Sequence, residues 1–276
     1  MIFKKYRILN VEFLHINKIK CKSKFSIGYG GEVLMRISKF LAIIMLVLII
    51  SALPCMAEVN EVDSNFDGKI DQWQYVNDEG KVEKIEHDGD FDGKKDQIEY
   101  FKGEKILEHV EFDRNKDGKM DHMQYYENGG KLSRVEKSSK FNDAFDWKEY
   151  FNENEKLTHI AIDENGDKKT DTTQYYDSSD KLARIETDTN FDGNVDRWSH
   201  FRDDSVLDRT AFDTTEDGKA DQWQFYHDDQ SLKKAEYDTN SDGKADRWEI
   251  FDSSGKLKKI QLDRNFDGKI DLTQKK

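Results

Sequence analysis

Two kinds of stretch alternate along residues 63–276. One is polar and rich in Asp, Asn and Gly. The other holds two short aromatic or β-branched runs around a polar turn, as in Tyr125-Tyr126-Glu127-Asn128-Gly129-Gly130-Lys131-Leu132. Runs of about seven residues split by a Gly-bearing turn predict a β-hairpin and are too short for a helix pair. The alternation is periodic. Asp63, Asp88, Asp113, Asp163, Asp188, Asp213, Asp238 and Asp263 fall every 25 residues, with Ser138 in the one missing place. A second series, Asp71, Asp96, Asp121, Asp146, Asp171, Asp196, Asp221, Asp246 and Asp271, is complete. A fixed internal period is the mark of a repeat array.

Eight whole units (63–87, 88–112, 113–137, 138–162, 163–187, 188–212, 213–237 and 238–262) and a shorter ninth (263–276) make up the array. Numbered from its first Asp, the average unit reads D-x-N-x-D-G-K-x-D-x-W-Q-Y-Y-x-x-x-G-K-L-x-K-I-E-F. Pairing position 14 with 20 gives a simple hairpin register. Phe101 then faces Leu107 and Tyr126 faces Leu132; Trp73 faces Ile85 and Trp248 faces Ile260. Glu249 falls opposite Lys259 and Gln124 opposite Arg134. Cross-strand pairs of these kinds contribute roughly 0.2–1 kcal/mol each. A lone hairpin is marginal, so neighbouring units must share a sheet or stack. The predicted fold is all-β, an elongated tandem array of antiparallel β-hairpins. A closed propeller fits less well, because a blade needs more strands than 25 residues supply. The repeated Trp and Tyr read first as sheet core.

One apolar run stands outside the repeats. Phe40 to Leu53 follows a basic start, Met35-Arg36-Ile37-Ser38-Lys39, and precedes Pro54-Cys55-Met56-Ala57. That layout predicts a secretory signal peptide over 35–57, cleaved after Ala57. The run is short of the roughly 20 residues a membrane span needs. Lipidation at Cys55 is the alternative, and Pro54 fits a lipobox poorly. Residues 1–34 read as untranslated sequence or as an extended n-region. The expected mature chain, 58–276, begins at Glu58, a start that an intact mass would reveal. It has no transmembrane span and is secreted, periplasmic or at the cell surface.

Composition narrows the classes. The chain is 36% apolar and 37% charged, with a mean hydropathy of −0.93. This is too polar for one thick core. Aromatic residues at 12% are too many for a disordered acidic tail. The net charge of −13 disfavours nucleic acid and favours cations. Residues 1–57 hold nine of the 44 bases and two of the 57 acids, so 58–276 carries −20. Both cysteines, Cys21 and Cys55, lie before residue 58, so the repeats have no disulfide staple.

The polar stretch is where the acids gather. Asp63-Ser64-Asn65-Phe66-Asp67-Gly68-Lys69-Ile70-Asp71 presents side-chain oxygens at positions 1, 3, 5 and 9, with Gly at 6 for a sharp bend. Hard cations such as Ca2+ take six to eight oxygens, which a short loop supplies by curling around the ion. The backbone carbonyl at position 7 is a further candidate. Position 12, Glu99, Glu149 or Glu249 in three units, would be the last ligand. The candidate metal ligands are Asp63, Asn65, Asp67 and Asp71; Asp88, Asp90, Asp92, Asp96 and Glu99; Asp113, Asn115, Asp117 and Asp121; Asp163, Asn165, Asp167 and Asp171; Asp188, Asn190, Asp192 and Asp196; Asp213, Asp217 and Asp221; Asp238, Asn240, Asp242, Asp246 and Glu249; and Asp263, Asn265, Asp267 and Asp271. The unit at Asp213 has Thr215 at position 3, and that at Asp163 has Lys168 in place of the Gly. The unit at Ser138, with Lys140 and Asn142, lacks the ligands. One such loop is an ordinary polar turn; a series on a fixed period points to cations.

These positions resemble the EF-hand calcium loop at 1, 3, 5, 6, 9 and sometimes 12, without room for its flanking helices. The pattern is more similar to secreted proteins with tandem calcium loops, such as thrombospondin type 3 repeats. The hairpin half faintly resembles bacterial MORN-type repeats. The resemblance implies an exported calcium-binding repeat protein with a structural or interaction role, in which Ca2+ stiffens the array. The alternative is a carbohydrate or cell-wall binder, since the Trp-x-Tyr-Tyr hairpins resemble choline-binding repeats; another surface protein is a further candidate partner. Exposure of Trp73, Trp198, Trp223 and Trp248 would separate the two readings. An enzyme is not expected: His87, His109, His122, His159, His200 and His227 share no single repeat position, and no nucleophile, H-E-x-x-H or phosphate-loop motif is present.

Overall fold

The computed structural model describes residues 58–276 apart from 104, 204 and 205. The segments read as leader and signal peptide lie outside the described residues. No α-helix occurs among the described residues, and no helix there is long and apolar enough to cross a membrane. The described residues form eighteen strands: β1 (Glu58–Val62), β2 (Gln72–Val76), β3 (Val82–His87), β4 (Gln97–Lys102), β5 (Ile106–Phe112), β6 (His122–Glu127), β7 (Lys131–Lys137), β8 (Trp147–Phe151), β9 (Leu157–Ile162), β10 (Thr172–Tyr176), β11 (Leu182–Thr187), β12 (Arg197–Arg202), β13 (Val206–Phe212), β14 (Gln222–Tyr226), β15 (Leu232–Tyr237), β16 (Arg247–Phe251), β17 (Leu257–Leu262) and β18 (Leu272–Lys275). Each strand from β2 to β17 pairs antiparallel with the strand before and the strand after it, and β1 and β18 lie at the two ends, so the strands lie across one open sheet in chain order. The tandem hairpin array expected from the period is the observed fold.

The hairpin register differs from the simple one. Positions 14 and 20 do pair, as in Val76 with Val82, Phe101 with Leu107 and Tyr126 with Leu132. Immediately beyond, all eight complete hairpins carry a β-bulge that shifts the pairing by one residue. Trp73 therefore meets Glu86, and Ile85 meets Gln74. Trp248 meets Gln261, Glu249 meets Ile260, and Gln124 meets Val135. A one-residue slip exchanges the faces, and here it sorts the side chains. Positions 11, 13, 22 and 24 share one face, while 10, 12, 14, 23 and 25 share the other.

The first face carries a ladder that explains the shift. Position 13 is aromatic in most units and position 22 is always Lys, Arg or His. Lys84 Nζ lies 4.0 Å from the Tyr75 ring centre, Arg134 lies 4.1 Å from Tyr125, and Arg184 lies 4.3 Å from Tyr175. His109 stacks on Tyr100 at 4.1 Å, and His159 stacks on Tyr150 at 4.3 Å. Such contacts contribute about 0.5–1 kcal/mol each at exposed sites. Glu at position 24 holds the base from its other side, as in Lys84–Glu86 at 2.6 Å and Arg134–Glu136 at 3.2 Å. The simple register would have set position 13 against 21 and lost this ladder.

The opposite face supplies the thin apolar core. Val110, Val135, Ile160 and Ala235, all at position 23, are buried along its middle row. Strand contacts run between consecutive strands, so the sheet is one layer thick and its stability is a sum of nearest-neighbour terms. His109 and His159 belong to the ladder, and burial pushes His122 down to about 4.

Candidate metal centres in the repeated loops

The loop between one hairpin and the next leaves the sheet always at the same edge, opposite the hairpin turns. Successive loops are two strand spacings apart, or about 9.5 Å. Each loop bends twice through left-handed backbone. Position 6 is usually Gly, as at Gly68 (φ +90°), and position 4 is Phe66 (φ +62°) in the first unit. Lys168 takes the position 6 conformation without being Gly (φ +73°), while Gly166 fills position 4 of that unit. The loop at Asp163 thus keeps the form of the others.

Hydrogen bonds from the backbone fix the acids. In the second unit the half-buried Asp96 accepts from the Gly89 N–H at 2.7 Å and the Asp90 N–H at 3.0 Å. Asp88 accepts from Asp92 at 3.1 Å and Gly93 at 2.8 Å, and Asp92 accepts from Lys94 at 2.8 Å. The unit at Asp238 repeats the scheme, with Asp242 and Gly243 donating to Asp238, Asp242 to Asn240, and Thr239 to Asp246. Position 9 is therefore the loop's anchor, and position 1 its second. Burial pushes the Asp71 carboxyl up, but donation from Ser64 and Asn65 outweighs it and holds the group below the usual carboxylate range. The same balance lowers Asp213, through Gly218 and Asp217.

This geometry brings position 3 to positions 1 and 9. In the second unit, where all three are acids, carboxylate oxygens of Asp88, Asp90 and Asp96 lie within 4.8 Å of one another. Asp92, at position 5, falls outside that group. In seven other units position 3 is Asn or Thr, so the corresponding set there is two acids and a neutral oxygen. The position 12 acids are also outside it, on the sheet face. Glu99 accepts from Gln97 Nε2 at 2.7 Å and faces His87; Glu149 pairs with Lys137 and accepts from Trp147 Nε1 at 2.9 Å; Glu249 pairs with Arg247.

Neighbouring loops also touch, which the repeat pattern alone did not signal. Lys116, at position 4 of the third loop, pairs with Asp90 at position 3 of the second, and its hydrogen bond is the main cause of Asp90's lowered pKa. Asn190 and Glu216 meet in the same way at 3.3 Å. The Ser138 loop keeps the fold without the acids. Ser138 Oγ accepts from Asn142 at 3.2 Å, and Asp146 accepts from Ser139 at 2.6 Å. Its Lys140 Nζ donates to the Glu164 carbonyl of the next loop. Trp73, Trp198, Trp223 and Trp248 are all half-buried on the ladder face, and Lys95 Nζ sits 2.7 Å from the Trp73 ring centre.

No protein-family model matches the chain, and no curated protein matches its sequence. Among solved structures, the chain is similar to part of accessory secretory protein 1, 2 and 3 of Streptococcus pneumoniae, at 14% identity over 49% of this chain and 22% of that one, with a TM-score of 0.28. A TcdB2-TccC3-Cdc42 structure is similar at 12% identity over 75% of this chain and 13% of the other, TM-score 0.20. A porin-like protein from Bacteroides uniformis is similar at 8% identity over 78% and 92%, TM-score 0.18. The first two likenesses span less than a quarter of the other chain's length, and none of the three carries an argument here.

Proposed function

We propose that the chain is an exported calcium-binding repeat protein whose loops take up Ca2+ along one edge of the sheet and stiffen it. The observation that carries this reading is the Asp88–Asp90–Asp96 group, three carboxylates within 4.8 Å, on a loop scheme repeated along the edge. Like charges held this close favour a cation between them. The donor set is all oxygen, which suits a hard ion, and the small number of charges per loop suits the weak range of extracellular modules, about 10⁻⁴–10⁻³ M. Mg2+ would keep more of its water and gain less from such a loop. Export rests on the sequence layout around Ala57, and a structural or interaction role on the repetition of the site.

The test is stoichiometry. Equilibrium dialysis with Ca2+ should show about one ion fewer bound after Asp242→Ala, since position 5 is exposed and its loss leaves the sheet intact. Asn142→Ala, in the loop without the acids, should change nothing. Equal losses from both substitutions, or saturable binding by neither parent nor variant, would sink the reading.

A further inference from the structure

The two edge strands of the sheet are halves of the same joint. Among the described residues β1 has β2 as its one partner, and β18 has β17. In repeat numbering β1 is the second strand of a hairpin: Val62, Glu61, Asn60 and Val59 stand at positions 25, 24, 23 and 22, and they pair with positions 10 to 13 of the first unit. β18 is the first strand of a hairpin, with Leu272, Thr273, Gln274 and Lys275 at positions 10 to 13. Each edge thus presents the register that the other lacks.

The backbone groups agree. The Lys276 N–H donates to Lys258 on the β17 side. Strand residues alternate in direction, so Gln274 also faces β17, while Thr273 and Lys275 turn their N–H and C=O outward. At the other end the Asp71 N–H donates to the Val62 carbonyl, so Val62 and Asn60 face β2, and Glu61 and Val59 turn outward. These outward residues are positions 11 and 13 on one edge, 24 and 22 on the other. They are the pairs that exchange hydrogen bonds inside every hairpin. Charge sorts the edges as well. β1 carries Glu58 and Glu61 and no base, while β18 with Lys276 carries Lys275 and Lys276 and no acid. Like edges repel and unlike edges attract.

We propose that β18 of one molecule pairs with β1 of a second copy, in the register Leu272 to Val62, Thr273 to Glu61, Gln274 to Asn60 and Lys275 to Val59. The joint reproduces an interface that occurs eight times within the chain. It is head-to-tail, and each joined pair still presents one free β1 and one free β18, so association continues into a linear series of molecules. With a few residues per strand the contact is small, and it forms at high protein concentration.

Sedimentation velocity of the full chain, from low micromolar to near-millimolar concentration, tests this. The average mass should climb past that of a dimer without a plateau, and added salt should reduce it. Thr273→Pro removes an outward N–H and leaves the bonds to β17, a substitution an edge strand tolerates. It should raise the dissociation constant at least about tenfold, equivalent to losing about 1.4 kcal/mol. A second measurement does not depend on that variant folding. In a Cys21→Ser, Cys55→Ser background, Asn60→Cys and Gln274→Cys fall at a close, non-hydrogen-bonded pair. Oxidising a mixture of the two single variants should give the mixed disulfide dimer in preference to either homodimer. A chain that stays monomeric throughout, or cross-links that favour Asn60 with Asn60 or Gln274 with Gln274, would overturn the proposal.

Discussion

In EDTA the protein is expected to melt at least about 10 °C below its transition in roughly 5 mM Ca2+, with the difference restored on adding the ion back. That concentration exceeds the weak-site range by about 5- to 50-fold. A ligand that binds the folded form stabilises it by RT ln(1 + [L]/Kd), here about 1–2 kcal/mol for each filled loop. Several loops together approach the 5–15 kcal/mol that holds a typical domain folded. At about 2–4 °C per kcal/mol for a chain of this size, the sum gives the stated shift. Mg2+ at the same concentration should produce a smaller rise. Superimposed curves would mean that the loops are polar turns and nothing more.

The Ser138 unit sets the form of the metal-free state. Its loop follows the same path with Ser, Lys and Asn at positions 1, 3 and 5. Hydrogen bonds therefore suffice to make the bend, and the ion is not needed for the chain to turn. The EDTA state should remain a sheet, with unchanged far-ultraviolet circular dichroism at low temperature. What the ion removes is repulsion among acids already held in place, so its contribution lies in stability and stiffness.

The period, the two strands per unit and the polar loop were legible because each rests on residue type at a fixed spacing. The register was not, and the reason is specific. Matching Trp73 to Ile85 or Glu249 to Lys259 satisfies pairwise chemistry across one hairpin, as does the observed pairing. The choice between them depends on the next hairpin, because only the bulged register lets the base at position 22 lie against position 13 on both sides. His109 shows this directly, lying 4.1 Å from Tyr100 within its hairpin and 5.7 Å from Tyr125 in the next. The regular Lys, Arg or His at position 22 was the signal available. The position 12 acids were misleading in a similar way. Spacing alone places Glu99 near the loop end, but the strand begins at Gln97 and directs Glu99 across the sheet face toward Gln97 and His87.

Replacing the position 9 aspartate should separate the structural role of the acids from the metal-binding role. Asp246 is buried, at 5% exposure, and accepts from both the Thr239 N–H and the Thr239 Oγ1–H at 2.8 Å. Asp246→Ala leaves both donors without this acceptor, and bonds to a charged partner are worth about 1.5–3 kcal/mol. A loss of about 2–4 kcal/mol is expected, or about 5–15 °C in Tm. Because that cost arises in the loop's own hydrogen bonds, it should appear already in EDTA, and it should be larger in Ca2+, since position 9 belongs to the carboxylate group proposed to hold the ion. Asp242 differs: it is exposed, and the Lys244 N–H it accepts at 2.9 Å lies in an open turn that water can serve. Asp242→Ala should therefore change Tm by less than about 2 °C in EDTA, within the small effect of an exposed substitution, and should lower it measurably only in Ca2+. Thermal melts of both variants in both buffers give the comparison. If Asp246→Ala were silent in EDTA, position 9 would be a metal ligand without an anchoring role. If Asp242→Ala were equally harmful in both buffers, position 5 would be holding the turn and the ion would have to be bound without it.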